Sequence, residues 1–440
     1  MEEAITITSM NITDLRFPTS LELHGSDAMH SAPDYSAAYL ELKTTRESLT
    51  GCGFAFTLGR GTDIVVKTIE LFEPLVIGRD VKKIFASFSQ YWKELVTEDQ
   101  IRWLGPEKGV THLAIAAIIN ALWDIWAKLE KKPLWKLLAD MEPEQLVNTI
   151  DFTYLTDVLT KEEAIEMLRQ KKEGQQKREK YLFENGYPAY TTSIGWKGYS
   201  DEKIQRLCKQ ALKEGWTRFK MKVGSDVEDD KRRSRIIREE IGYQHKLMMD
   251  ANQVWDVEQA IQHMKELSPY KPLWIEEPTS PDDILGHAKI REALEPYGIR
   301  VATGEACQNR VIFKQLMQAK SIDFCQIDTC RVGGVNENLS IILMAAKFGI
   351  PVCPHAGGVG LCELAQHLSI FDYIAVSGTL ENRMTEYVDH LHEHFEDPVA
   401  IQNGCYKVPT RPGYSSKIKE NTLQEYQYPN GPVWKELMKK

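Results

Sequence analysis

From about residue 148 onward, short apolar or β-branched runs alternate with helical stretches. The runs are "NTIDFTYL", "TRFKMKVG", "KLMMDAN", "PLWIEEP", "RVATGE", "FCQIDTC", "PVCPHAG" and "DYIAVSG", with segments such as "DDKRRSRIIREEIG" and "VEQAIQHMKELSPY" between them. Parallel strands need a long crossover, usually a helix, so this alternation predicts βαβ units around a parallel sheet. Eight runs at roughly 31 residues per unit fit a closed eight-unit barrel better than an open sheet.

The polar residues that end these runs share one phase. Lys222 is followed by Asp250, Glu276, Glu305, Asp328, His355 and Glu386, at steps of 28, 26, 29, 23, 27 and 31 residues. Each step is about one βα unit, so each residue falls at the C-terminal end of a strand, around the mouth where barrel enzymes keep their chemistry. A single strand-end carboxylate is ordinary; seven ionisable groups in register are not. Asp250, Glu276 and Glu305 come from adjacent strands, and three anions aimed at one spot repel unless a cation lies between them. All-oxygen ligation suits Mg²⁺, which keeps places for water and substrate. Glu277 alternates to the other face of "WIEEP", which makes Glu276 the expected ligand. Asp328, one strand before His355, is placed to hold its imidazole. A divalent metal flanked by a lysine and a histidine fits removal of the weakly acidic proton beside a carboxylate, with the metal and Lys220 stabilising the enediolate.

In "TRFKMKVGSD", Phe219, Met221 and Val223 point one way along a strand, and Lys220 and Lys222 the other. On spacing alone, a solvated strand face is the ordinary reading. Inside a barrel, each ammonium would disfavour the other's proton and burial would act in the same sense. A lysine there is expected to become a base near neutral pH.

Residues 1–60 carry alternating β-formers, interrupted by the loop "LELHGSDAMHSAPDYS", and 63–140 read as helices. Three parts are therefore expected: an α+β capping domain over 1–145 with a lid loop at about 20–36, a barrel over 146–388, and an irregular segment 389–440 packed back on the first part. "HLAIAAIINALWDIWAKL" contains His112, Asn120 and Asp124 and reads as a buried helix, too polar and short for a membrane span. A net charge of −9 argues against nucleic-acid binding, which usually needs a basic face. The eight cysteines are scattered with no C-x-x-C pair and read as reduced thiols of an intracellular protein. The opening "MEEAITITSM" is acidic and β-like, unlike a signal peptide or an Arg-rich transit sequence, which favours the cytoplasm.

The set "KMK", "DAN", "IEEP", "TGE", "QID" and "PHAGGVG" resembles the mandelate racemase subgroup of the enolase superfamily, and the similarity extends over essentially the whole chain. The resemblance implies an α/β fold, a modified (β/α)7β TIM-type barrel with an N-terminal α+β capping domain. It implies Mg²⁺ and dehydration of a sugar acid, L-fuconate above all, to its 2-keto-3-deoxy product. Asp250, Glu276 and Glu305 would hold the metal. Lys222 would be one acid/base, and His355 with Asp328 the other. Lys220, Asn252, Glu276, Glu305, Glu386 and the run His355-Ala356-Gly357 would meet the substrate. Gly25, Ser26, Asp27 and Tyr35 would close over it from the capping domain. A mitochondrial location and a homo-oligomer also follow by family likeness. Which of Lys222 and His355 removes the C2 proton and which protonates the leaving 3-hydroxyl stays open, as does a syn elimination through one group. A racemase or epimerase on the same site, or a non-catalytic binding role, are the competing readings.

"HLHEH" at 390–394 could gather His390, His392 and His394 on one strand face, but no carboxylate shares their phase, which weighs against a metal site. "AGGVG" lacks the spacing of a phosphate loop. "KKEGQQKREK" reads as a solvated helix or loop.

Overall fold

The strands β1 (Ile7–Arg16), β2 (Ser36–Thr44) and β3 (Thr50–Thr57) form an antiparallel sheet. The computed structural model describes residues 4–439, so the first three residues of the acidic opening lie outside the described residues. The helix Gly109–Leu129 lies on this sheet, and Gly53 is what lets it approach: a Cβ there would sit 2.1 Å from the carbonyl oxygen of Ala117. By length and composition this helix could cross a membrane, yet it is buried within the fold. Its Asp124 is satisfied internally, accepting from the N–H groups of Cys52 (2.8 Å) and Tyr414 (2.8 Å).

The barrel begins later than the sequence suggests. Its strands β4 (Tyr187–Thr191), β5 (Arg218–Lys222), β6 (Lys246–Asp250), β7 (Trp274–Glu276), β8 (Arg300–Thr303) and β9 (Phe324–Cys325) pair in parallel in that order. The seventh position is the extended segment 351–355, where Val352 bridges Cys325. The eighth is β10 (Thr385–Tyr387), which pairs in parallel with β4, while the Glu386 N–H donates to Pro354 O at 3.2 Å and closes the ring. Seven helices connect the eight positions, giving the (β/α)7β order. Five of them start on a capping side chain, Ser200, Asp226, Asp256, Asp283 or Asn309, which accepts from the first-turn backbone at the mouth.

Two expected strands are not strands. "NTIDFTYL" forms turns, because its N–H groups continue the i→i−3 and i→i−4 bonding of the helix Pro143–Val147. "DYIAVSG" is a π-helical turn, Asp372–Ser377, extending the helix Leu361–Phe371, with Asp372 held by Arg383 Nε at 2.8 Å. Short apolar runs cannot be assigned by periodicity alone, and these are two such cases. The charge run at 171–180 is split between the helices Lys161–Lys172 and Gln175–Asn185, which precede β4.

Below the mouth, Tyr190, Met248, Trp274, Phe324, Cys353 and Met384 fill the barrel with a separate apolar cluster. Near the C-terminus, Tyr428 N–H donates to Asp14 O (2.8 Å) and Trp434 Nε1–H to Arg16 O (2.9 Å), tying this end to β1.

Candidate active site

Lys220 and Lys222 alternate onto the interior face of β5, and both are buried. Carboxylates surround them. Lys220 Nζ lies 2.6 Å from Glu276, 2.9 Å from Glu386 and 3.1 Å from Asp250. Lys222 Nζ lies 2.6 Å from Asp250 and donates to Asn252 Oδ1 at 2.9 Å. The expectation that crowding makes a lysine weakly basic is therefore corrected. Burial lowers both ammonium groups, and Lys220 lowers Lys222, but the facing carboxylates prevail and both end above the ordinary lysine value.

Ligand oxygens of Asp250, Glu276 and Glu305 lie within 4.8 Å of one another, the one such metal-competent group among the described residues. Burial, then the charge of Asp250, pushes Glu276 up to about 8. Burial and the charge of Glu305 raise Glu277 well above the carboxylate range. Glu305 Oε2 is buried with no hydrogen-bond partner. An orphaned oxygen beside two further carboxylates is the donor set a hard divalent cation takes, so the residues fit the metal. Such a cation is expected to raise the unfolding midpoint of the native chain, by about 2.7 kcal/mol of stability at a hundredfold excess over Kd. Glu305→Gln should lose that shift, and an equal shift in the variant would place the cation elsewhere.

His355 ends the seventh strand position. Its Nδ1 lies 2.7 Å from Asp328 Oδ2, which leaves Nε2 facing Glu305 (3.6 Å) and Glu386 (3.8 Å). Asp328 is fixed by the N–H groups of Cys330 (2.7 Å) and Arg331 (2.8 Å). Burial disfavours the imidazolium, but Glu305, the Asp328 hydrogen bond and Glu386 raise His355 to about 10. Burial also opposes ionisation of Glu386, yet Lys220, His355 and Lys222 hold it down at about 2. Around the ring, β10 and β4 separate His355 from Lys222 on one side and four strands on the other.

Both groups line one cavity of about 310 Å³, together with Gly25, Asp27, Tyr35, Asn252, Glu305, Asp328, Gly357 and Glu386. Asp250, Glu276, Lys220, Ala356 and Ser26 are not among the lining residues. Lys220 is completely buried among three carboxylates, and Ser26 Oγ donates to Leu23 O and Lys197 O at 2.8 Å each. Gly25 has φ +78°, and a Cβ there would lie 2.4 Å from the Tyr35 ring, so this turn must be glycine for Tyr35 to reach the cavity.

Sequence reasoning missed His30, Trp196, Gln253, Glu277 and Arg331, which also line the cavity. Trp196 follows β4, the strand placed wrongly. Alternation places Glu277 on the far face, but its φ of 43° takes the chain out of the strand at that residue. The "HLHEH" run is not a strand: Leu391 has φ 71° and a 3₁₀ turn follows, so the three rings diverge.

A capped (β/α)7β barrel with a carboxylate triad between a lysine and an Asp-paired histidine defines the class. Residues 14–139 match the mandelate racemase/muconate lactonizing enzyme N-terminal domain, and residues 203–422 match the enolase C-terminal domain-like family. The chain belongs to the mandelate racemase subgroup of the enolase superfamily. It is 60% identical over 433 residues to mitochondrial enolase superfamily member 1 of Homo sapiens, covering 98% of each chain. It is 53% identical over 435 residues to the L-galactonate dehydratase of Hypocrea jecorina, covering 98% of this chain and 96% of that one. The crystal structure of the human protein matches with a TM-score of 0.98 at 58% identity, over 99% of this chain and 100% of that one. The structure of L-talarate/galactarate dehydratase from Salmonella typhimurium LT2, liganded with Mg and L-lyxarohydroxamate, matches with a TM-score of 0.75 at 24% identity over 97% and 94%, a likeness of fold alone.

Proposed function

We propose that this chain is a Mg²⁺-dependent sugar-acid dehydratase that converts L-fuconate to 2-dehydro-3-deoxy-L-fuconate. The observation that carries this reading is the shared cavity: Lys222 and the Asp328-paired His355 both face it, beside the acidic triad. L-fuconate is L-galactonate lacking the 6-hydroxyl, so the name of the relative from Hypocrea jecorina supports the same substrate stereochemistry. Asp250, Glu276 and Glu305 would hold Mg²⁺, whose positive charge would acidify the C2 proton and offset the negative charge that develops as it leaves.

The chain's own groups do the rest. A cation on the triad would take up the charge of Asp250 that keeps Lys222 protonated, leaving burial and Lys220 to favour the free amine. In that form Lys222 Nζ takes the C2 proton. His355 Nε2–H protonates the 3-hydroxyl as the C3–O bond breaks, water leaves, and the enol tautomerises to the 2-keto acid. Asp328 keeps the other imidazole proton on Nδ1. Asn252, Glu305, Glu386 and Gly357 meet the substrate from the barrel. Gly25, Asp27 and Tyr35 meet it from the lid, while Lys220 and Ser26 act from behind the wall by holding the carboxylates and the lid. The name of the human relative supports a mitochondrial location.

The test is 2-keto-acid formation from a panel including L-fuconate and L-galactonate, with Mg²⁺ and again with a chelator. Mg²⁺-dependent product from L-fuconate is expected. Deuterium incorporation at C2 without keto acid would identify a racemase or epimerase on the same site instead. No reaction and no exchange with any sugar acid would sink the dehydratase reading.

A further inference from the structure

The H-x-H-x-H run takes no part in the triad, yet each of its rings has a defined place. Leu391 holds φ 71°, a conformation that costs a branched residue energy and persists only where its surroundings demand it. This kink sends alternate rings to different partners. His390 stacks on Tyr35, with centroids 5.4 Å apart and planes at 28°, and packs on His24 at 5.0 Å. Neither nitrogen of His390 has a hydrogen-bond partner, and its nearest charge, Asp389, is 3.7 Å away. Its flat surface is therefore what it contributes. His394 packs on Phe17, the residue just before the lid, at 4.6 Å, and on Tyr426 at 5.1 Å.

His392 faces the other way. Its Nδ1 lies 2.7 Å from the buried Glu363 carboxylate and its Nε2 lies 2.6 Å from Val388 O, so both nitrogens meet acceptors. The same ring stacks on Tyr387 of β10 at 5.3 Å and 10°. One histidine is thus anchored to the barrel, while its neighbours on either side hold the two ends of the loop that brings Gly25, Asp27, His30 and Tyr35 to the cavity.

We propose that this run is the seat of the lid, and that His390 is a positioning residue that sets Tyr35 and the His24–Asp27 turn over the cavity. The effect on catalysis rests on the dehydratase reading; the effect on the lid does not. The experiment is amide hydrogen exchange of the full chain, peptide by peptide, in His390→Ala, His390→Phe and His24→Ala, alongside steady-state kinetics. His24→Ala breaks the same contact from the partly exposed lid side, should His390→Ala fail to fold.

Residues 18–34 are expected to exchange about two- to tenfold faster in both alanine variants, while barrel peptides stay unchanged. His390→Phe, which keeps a flat ring, should restore the native exchange. KM for the accepted sugar acid should rise by a similar factor in the alanine variants with kcat within about twofold, and should recover in His390→Phe. Unchanged lid exchange, or equal acceleration across all peptides, overturns the seat whatever the enzyme turns over. Faster lid exchange rescued by phenylalanine supports the seat even if no sugar acid is a substrate, an outcome that would defeat only the dehydratase reading.

Discussion

Lys222→Ala is expected to lower both dehydration and exchange of the C2 proton with D₂O by about 10²–10⁴-fold, the range a positioned acid–base group contributes. His355→Asn should behave differently: dehydration falls by a similar factor while C2 exchange persists. The split follows from the surroundings of the two groups. His355 is held as an imidazolium by Glu305, Asp328 and Glu386, up to about pH 10, so it arrives with a proton to give. Lys222 faces the cavity from β5, across two strands on the shorter path, and the Asp250 carboxylate that holds its proton is one a bound cation would neutralise, which frees the amine to act as base. Lys222→Arg is the informative control. It keeps a cation beside Asp250 but cannot release a proton, so it should fail in exchange as fully as alanine does. Native exchange in Lys222→Ala would remove it as the base. Loss of exchange in His355→Asn with exchange retained in Lys222→Ala would reverse the roles.

What could be read without coordinates was whatever repeats. Lys222, Asp250, Glu276, Glu305, Asp328, His355 and Glu386 recur once per βα unit, and the barrel turns that one-dimensional phase into a ring. What escaped was set by contacts distant in sequence. "NTIDFTYL" has the composition of a strand, but its backbone bonds had already been committed to the preceding helix, whereas the true first strand, "YPAYT", is short and contains a proline. Losing β4 concealed Trp196. Glu277 escaped because a left-handed residue ends the alternation at the very point where it was applied. The sense of the lysine shifts escaped because Glu276, Glu386 and Asp250, which face Lys220, lie 56, 166 and 30 residues away in the chain, and a pair spacing cannot weigh them. The same holds for "HLHEH", whose partners are the two ends of the lid loop, Phe17 and Tyr35, and Glu363 of the helix Leu361–Phe371.

Glu337→Gln is expected to cost about 3–5 kcal/mol, the usual penalty for breaking a buried ion pair from one side, and to lower the unfolding midpoint at pH 7 by several degrees. The residue is buried where the capping domain meets the barrel. It lies 2.5 Å from His112 Nε2 on the long capping helix, and it accepts from Arg310 N–H (2.8 Å), Arg310 Nη1 (3.2 Å) and Gly333 N–H (2.7 Å). Arg310 in turn reaches Glu107 at 2.7 Å and Asp151 at 3.2 Å. Burial favours the neutral acid, but His112, Arg310 and the backbone donor hold Glu337 down at about 2 against an ordinary value near 4.5. A depressed carboxyl adds stability above its unfolded value and loses it as pH falls through the folded one, so about 3 kcal/mol should disappear between roughly pH 4.5 and 2. The midpoint difference between the native chain and Glu337→Gln should therefore be full at pH 7 and narrow steadily below pH 4.5. A difference still undiminished at pH 3 would mean that the variant acts through shape and packing. If the charge is what matters, the same acid range should also loosen the 328–334 loop that presents Asp328 to His355, because the Gly333 N–H would exchange a charged acceptor for a weaker neutral one.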